Sequence, residues 1–312
     1  MNSSKKVRNL LVLVLAALIW GVAFVAQSKG GEAAGPYSFN CIRSIIGGIV
    51  LIPVIKVLDR FGVTSKKPIT REQKKNLFFG GLFCGIALFV AGTLQQLGIF
   101  YGSSAGKAGF LTACYILLVP VLSLFLKKRC GWNIWAAVSI AIIGLYLLCM
   151  NGTFGLENSD ILLLLCAFVF AIHILIIDRF SPLVDGVRLS CIQFFVSGLL
   201  GAIPMYFVEM KHSTEGIRDW GPMMASWEVW IPILYAGVMS CGVAYTLQII
   251  GQNGLNPTVA SLVLSLESVF SVVAGGILLH EKMSEKELVG CGLILGAILL
   301  AQIPVKGVKE RR

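Results

Sequence analysis

The 312-residue sequence is poor in charge: Asp, Glu, Lys and Arg make up 13% of it, about half the share usual in a soluble chain. Hydrophobic residues make up 56%, and the mean hydropathy is +0.83. A soluble fold of this size could not cover so much apolar surface, so lipid is the expected solvent for most of the chain. Catalytic and metal-binding patterns are scarce as well. The nine cysteines form no CxxC pair, and all but Cys130 lie in apolar stretches, which indicates small buried side chains and neither a zinc site nor a disulfide framework. His280-Glu281 lacks the second histidine of a zinc protease. Gly102-Ser103-Ser104-Ala105-Gly106-Lys107-Ala108 has three residues between its glycines where a phosphate loop needs four, and Ala108 stands in place of Ser or Thr. The sequence predicts no cofactor, no metal and no nucleotide site.

What fills the chain is a series of long apolar stretches. A hydrocarbon core of about 30 Å needs roughly 20 apolar residues per helix. Ten such stretches can be read, at 9–27, 36–58, 76–100, 104–126, 132–150, 160–179, 187–209, 229–251, 257–279 and 286–305. They are too long and continuous for barrel strands, so the expected fold is an all-α integral membrane protein. Lys5, Lys6 and Arg8 before the first stretch resemble a signal-peptide start, but the run is long enough to span and is read as an uncleaved first helix.

Charge sets the orientation. With the N-terminus inside, the alternate loops and ends place 18 Lys and Arg on the inner side and 6 on the outer, as positive charge in cytoplasmic loops predicts. Both termini are then cytoplasmic and the number of spans is even. The acids divide the other way, five inside and ten outside. The net charge of +10 is therefore topological and calls for no nucleic acid. The expected location is the cytoplasmic membrane, crossed many times.

The two halves of the chain resemble each other. Phe39-Asn40-Cys41-Ile42-Arg43 lines up with Leu189-Ser190-Cys191-Ile192-Gln193 at an offset of 150, and Thr93-Leu94-Gln95 with Thr246-Leu247-Gln248 at an offset of 153. Five spans per half is an odd number, so the second half (151–312) must enter the membrane inverted relative to the first (1–150). Gln95 then falls near the outer end of its span and Gln248 near the inner end of its own. Inverted repeats are characteristic of transporters with a substrate site between the halves.

Specific segments carry a family resemblance. Ala17-Leu18-Ile19-Trp20-Gly21-Val22-Ala23-Phe24-Val25 resembles the opening helix of the EamA-type drug/metabolite transporters. Tyr101 to Phe110 followed by Val119-Pro120 resembles that family's passage from third to fourth helix, and Glu281 followed by Gly290 and Gly296 its final passage. Leu264-Ser265-Leu266-Glu267-Ser268-Val269-Phe270 resembles its ninth helix, with Ser268 where proline is usual. The resemblance implies ten helices in two inverted five-helix repeats, a central cavity and alternating access. It leaves the substrate open.

Polar and ionisable residues inside spans are costly and tend to face a cavity or a partner. The candidate cavity residues are Trp20, Asn40, Arg43, Gln95, Gln96, Lys107, Tyr115, His173, Tyr245, Gln248 and Glu267. Arg43 and Lys107 would form an outer-half basic patch for a carboxylate or phosphate. Alternatively, Arg43 pairs with Glu267 or backbone carbonyls, and Lys107 snorkels to the surface. Glu267 is read either as a carrier of a coupling proton or as a hydrogen-bond anchor between helices, and His173 as a proton relay or a packed, bonded core residue. Gln27, Gln252 and Asn253 add hydrogen-bonding groups. The glycine pairs Gly81/Gly85, Gly102/Gly106 and Gly292/Gly296 have the small-xxx-small spacing that lets helices approach, and Pro53, Pro120 and Pro204 are expected to kink their helices. The functional expectation is a secondary transporter that moves a small organic metabolite, an amino acid or related compound or a drug-like solute, most naturally outward. A coupling proton or an exchanged solute would supply the energy. An enzyme acting on a lipid intermediate is the alternative, with a channel or sensor behind it.

Overall fold

The computed structural model describes residues 3–62, 67–102, 105–126, 131–149, 157–278 and 284–303. Every regular element among them is helical. In chain order these are α1 (Ser3–Ala34), α2 (Pro36–Arg60), α3 (Arg71–Phe100), α4 (Ala105–Ala113), α5 (Tyr115–Phe125), α6 (Trp132–Cys149), α7 (Asn158–Phe180), α8 (Gly186–Pro204), α9 (Thr214–Met223), α10 (Trp227–Leu234), α11 (Tyr245–Gln252), α12 (Pro257–Leu264), α13 (Leu266–Leu278) and α14 (Glu285–Gln302). Two π-helical segments, Met205–Glu209 and Tyr235–Ala244, continue α8 and join α10 to α11. Among the described residues eight helices are long and apolar enough to cross a membrane, and Trp132–Leu147 and Leu288–Ala301 are shorter apolar helices.

Several ends differ from the sequence reading for identifiable reasons. The first helix runs on to Ala34, because the reversal into α2 needs only Gly35, at φ +80, and Pro36 at the first helical turn. The stretch read as one span at 104–126 breaks at Cys114, and that at 257–279 breaks at Ser265. Both breaks close with tight bonds, Leu117 N to Cys114 O at 3.0 Å and Ser268 N to Ser265 O at 3.1 Å. In both, the side chain at the break turns back on its own helix, Cys114 Sγ to Phe110 O at 3.4 Å and Ser265 Oγ to Leu262 O at 2.7 Å. Pro53 and Pro120 lie inside α2 and α5, so neither break falls at a proline. The π segments do follow prolines, Pro204 directly and Pro232 three residues on, where each proline lacks the N–H that a regular helical turn would donate.

Contacts recur across the chain at a constant separation. Cys41 Sγ donates to Gly198 O at 3.3 Å, and Cys191 Sγ to Gly48 O at 3.5 Å. A Cβ at Gly48 would meet the Phe195 ring at 3.1 Å, and one at Gly198 would meet Ile45. Each residue of one contact stands 150 positions from its counterpart in the other. The rising and falling numbers show that α2 and α8 pack antiparallel. Gly85 faces Val196 and the Gln193 carbonyl just as Gly237 faces Ile46 and the Arg43 carbonyl. Gly98 faces Leu163 and the Ser159 carbonyl just as Gly251 faces Leu13 and the Asn9 carbonyl. The glycine offsets rise from 152 to 153 across the π-helical segment Tyr235–Ala244, which accommodates an extra residue.

The ends of the α2–α8 pair are tied as well. At one end Arg188 Nη2 lies 2.6 Å from Asp59 Oδ2 and Arg188 Nη1 lies 3.4 Å from Asp185 Oδ1. At the other, Gly35 offers α2 no capping side chain. Glu209 supplies one from a distance, accepting from Tyr37 N at 2.8 Å and Ser38 N at 2.7 Å and from Ser38 Oγ. Trp220 Nε1 donates to Ser38 Oγ at 2.8 Å and docks the short helix α9 there. Asp59 and Glu209 are also 150 positions apart.

The glycine pairs divide. Gly81 abuts Ile192, and a Cβ on Gly85 would lie 2.5 Å from Val196 Cβ, so this pair marks a close approach of α3 to α8. Gly292 and Gly296 have nothing within 4 Å of a Cβ, and neither has Gly102, at φ +104; their spacing marks no contact here. Gly106 lies among residues whose side-chain surroundings are not described. Of the cysteines with described side chains, all are free thiols, and Cys41, Cys84, Cys166, Cys191 and Cys241 are buried.

Overpacking a filled interface costs about 1–3 kcal/mol. Gly85→Leu should therefore lower the thermal midpoint of the purified protein by several degrees, and Gly292→Leu should leave it nearly unchanged. Thermal unfolding in detergent, followed by tryptophan fluorescence, measures both.

Candidate functional site

A cavity lined by polar and apolar side chains lies inside the bundle; its empty volume, open solvent included, is about 490 Å³. Its lining is drawn from both halves of the chain. Trp20, Phe24 and Gln27 enter from α1, Arg43 from α2, Gln95 from α3, and Thr112 and Tyr115 from either side of the α4–α5 break. Phe170 and Ile174 enter from α7, Ser240 from the second π segment, Tyr245 and Gln248 from α11, and Leu264 and Glu267 from either side of the α12–α13 break. The two helix breaks thus bracket the cavity. Interrupted helices at a polar cavity are tolerated in lipid because the freed backbone groups face protein or the cavity itself.

Seven of the residues expected from the sequence meet here: Trp20, Arg43, Gln95, Tyr115, Tyr245, Gln248 and Glu267. Tyr115 Oη donates to Glu267 Oε1 at 3.1 Å, joining α5 to α13 across the cavity. Arg43 is buried, its Nε donating to Asn40 Oδ1 at 3.0 Å and its guanidinium carbon 5.3 Å from the centre of the Phe39 ring. Among the described residues no ion pair joins Arg43 to Glu267, so the cavity holds a cation and a carboxylate on separate supports. Gln95 Nε2 donates to Thr112 Oγ1 at 3.3 Å. The Trp20 and Tyr245 rings meet edge to face at 4.6 Å.

Asn40, Gln96 and His173 stand one layer back. Asn40 orients Arg43 and donates to Thr93 Oγ1 at 3.3 Å. Gln96 Nε2 donates to Gln27 O at 2.9 Å and so ties α3 to α1. His173 is fully buried, with Nε2 3.1 Å from Gln193 Oε1. The Lys107 side chain, the Asn151-Gly152-Thr153 segment and His280-Glu281 lie outside the described residues. Among the lining residues the sequence reading missed Phe24, Thr112, Phe170, Ile174, Ser240 and Leu264 as candidates. Apolar residues on a spanning helix look alike in sequence whether they face lipid, core or cavity. Phe170 had a signal, since it stands 150 positions after Trp20, and Thr112 and Ser240 had one as polar residues within spans.

The cavity lining is under-satisfied. Trp20 Nε1, Gln27 Oε1 and Gln248 Oε1 are buried without a hydrogen-bond partner. An unmet buried polar group costs about 1–3 kcal/mol, so these three atoms, beside Arg43 and Glu267, leave the lining with hydrogen-bonding capacity that the protein itself does not use. Among the described residues no cluster of His, Cys, Asp and Glu is placed to hold a metal ion.

Comparison with known proteins gives a consistent picture. The chain is 29% identical over 296 residues to an "Uncharacterized transporter" of Archaeoglobus fulgidus, covering 95% of this chain and 86% of that protein. It is 23% identical over 304 residues to the "Uncharacterized transporter YoaV" of Bacillus subtilis, covering 94% of each. A solved crystal structure superposes with a TM-score of 0.73 at 18% identity over 97% of both chains, a likeness of fold. The model of the EamA-like transporter family matches twice, at residues 8–150 and 158–302. With relatives named as transporters, the chain reads as a transporter rather than an enzyme. With both halves matched, this multi-pass membrane protein belongs to the EamA-like transporter family.

Proposed function

We propose that the protein is a secondary transporter that carries a small organic solute bearing both an anionic and a hydrogen-bonding group, an amino acid or related compound, outward across the cytoplasmic membrane by alternating access. The observation that carries this reading is the cavity itself: a cation, a carboxylate, three unpartnered polar atoms and five aromatic rings line one space between the helices. Arg43 attracts the anionic group. Glu267 and the amide oxygens of Gln27 and Gln248 receive donors, and Trp20 and Tyr245 face the apolar part of the solute. Gln95 and Tyr115 hold the wall in place through Thr112 and Glu267.

In this reading residues 1–150 and 151–312 are two inverted repeats of five spans each, the shorter helices Trp132–Leu147 and Leu288–Ala301 included. Both termini are cytoplasmic. The reciprocal contacts at an offset of 150, and the antiparallel α2–α8 pair on which they centre, support the inversion; the 18-to-6 distribution of Lys and Arg supports the orientation. The Arg188–Asp59 tie is then at the inner face and the Glu209–Ser38–Trp220 tie at the outer. Rocking one half against the other around a fixed site is the motion such repeats permit.

Flux in proteoliposomes tests the reading. If no member of a broad panel of amino acids, nucleosides and drug-like solutes moves under any ion gradient, it fails. Arg43→Ala is expected to reduce the uptake of carboxylate-bearing solutes about tenfold more than that of neutral ones, on the scale of a charged hydrogen bond worth about 1.5–3 kcal/mol. Equal loss for both classes would assign Arg43 to packing. Glu267→Gln is expected to abolish gradient-driven uptake while sparing solute exchange. Gradient-driven uptake that persists in a well-folded Glu267→Gln protein would leave Glu267 only the anchoring role that its bond with Tyr115 provides.

A further inference from the structure

His173 and Gln193 lie outside the cavity, yet Gln193 occupies the counterpart of a position that lies in it. Gln193 stands 150 residues after Arg43, Ser190 stands 150 after Asn40, and Thr246 stands 153 after Thr93. Their contacts correspond as well. Asn40 Nδ2 donates to Thr93 Oγ1 at 3.3 Å, and Thr246 Oγ1 donates to Ser190 Oγ at 2.9 Å. The Arg43 carbonyl faces Gly237 and the Gln193 carbonyl faces Gly85. In the first half this position delivers a side chain to the cavity. In the second, the Gln193 side chain has no exposed surface and is held by His173.

The wall that conceals the pair is one ring thick. The His173 ring lies 6.1 Å from the Tyr245 ring and 6.4 Å from the Phe170 ring, both edge to face, and Tyr245 and Phe170 line the cavity. With Gln193 Oε1 accepting from His173 Nε2, His173 Nδ1 is left as an acceptor and Gln193 Nε2 as a donor. Both atoms are buried and neither has a hydrogen-bond partner. The pair therefore keeps one unmet donor and one unmet acceptor in the core, at a cost in free energy that a polar ligand relieves.

From this geometry we infer that His173 and Gln193 form a second polar half-site, concealed behind Tyr245, which joins the cavity when Tyr245 and α11 part from α8. The inference rests on the transporter reading. Inverted repeats exchange the surroundings of equivalent positions as the cavity changes side. The half-site takes a polar head group that offers a donor to His173 Nδ1 and an acceptor to Gln193 Nε2. The solute therefore meets a fixed cation at Arg43 in one state and neutral hydrogen-bonding groups in the other. An anionic group is held less tightly in the second state, which favours its release there.

Labelling of the wild-type protein tests the opening. The protein, in nanodiscs of phosphatidylethanolamine and phosphatidylglycerol, is treated with diethyl pyrocarbonate, and modification is read by peptide mass spectrometry at His173 and at exposed His212 as the internal reference. His173 is expected to react more slowly than His212 but to the same final extent. In a Ser190→Cys/Thr246→Cys variant, whose parent hydroxyls lie 2.9 Å apart, oxidation should slow labelling at His173 at least tenfold, reduction should restore it, and His212 should be unaffected. Tyr245→Ala, which removes the wall, should speed labelling at His173 at least tenfold and serves alone if the disulfide does not form. The inference is overturned if His173 stays unmodified once His212 is complete, if oxidised and reduced forms label alike, or if Tyr245→Ala leaves the rate unchanged. Because none of these readouts needs a transported solute, a negative flux panel would remove the transporter reading while leaving the labelling result to stand or fall by itself.

Discussion

The structure depends on how closely α2 and α8 can lie. In lipid there is no hydrophobic gain from bringing two helices together, so association rests on packing and on polar contacts. Here both come from the backbone. Gly48 and Gly198 each give up a side chain so that Phe195 and Ile45 can fill the space, and at that distance the Cys41 and Cys191 thiols reach carbonyls on the facing helix. The contact is reciprocal, and so are the ties at its ends. Asp59 closes one end through Arg188, and Glu209 closes the other by capping α2. The pair is a spine against which α3 is brought equally close, through Gly81 and Gly85.

The cavity lies beside that spine. Opposite it, α4–α5 and α12–α13 break at Cys114 and Ser265, where side-chain bonds turn back to the preceding turn. Each break is followed within two residues by a polar side chain that faces the cavity, Tyr115 in one case and Glu267 in the other, and these two bond to each other. The polar groups are therefore organised in layers. Asn40, Gln96 and Thr112 bond to neighbours behind or beside the cavity, while Gln27, Gln248 and Trp20 each keep an unpartnered polar atom in its lining.

Much of this was legible in the residues, and the reasons are specific. Arg43, Gln95, Gln248 and Glu267 were identifiable because a polar side chain within an apolar span has few inexpensive destinations. The match of Cys41 with Cys191 pointed to a duplication, and in the structure the two cysteines make equivalent thiol bonds. His173 and Gln96 satisfied the same criterion, yet they serve the layer behind the cavity, since the cost of burial is relieved by any partner, structural or functional. Glycine spacing was the least discriminating signal: Gly81 and Gly85 sit at a tight contact and Gly292 and Gly296 sit at none, because spacing says which residues share a helix face but not what that face meets.

By itself the sequence determined the solvent, the helical class and the duplication. Scarce charge and long apolar runs leave only helices to satisfy the backbone in lipid, and a constant offset between like segments reveals a repeat without coordinates. Only the tertiary structure decided which polar residues share one space, where the spanning helices break, and which glycines matter. Those outcomes depend on the rotation and approach of one helix against another, and such contacts join residues about 150 positions apart. Local pattern carries no information at that range until the helices are packed.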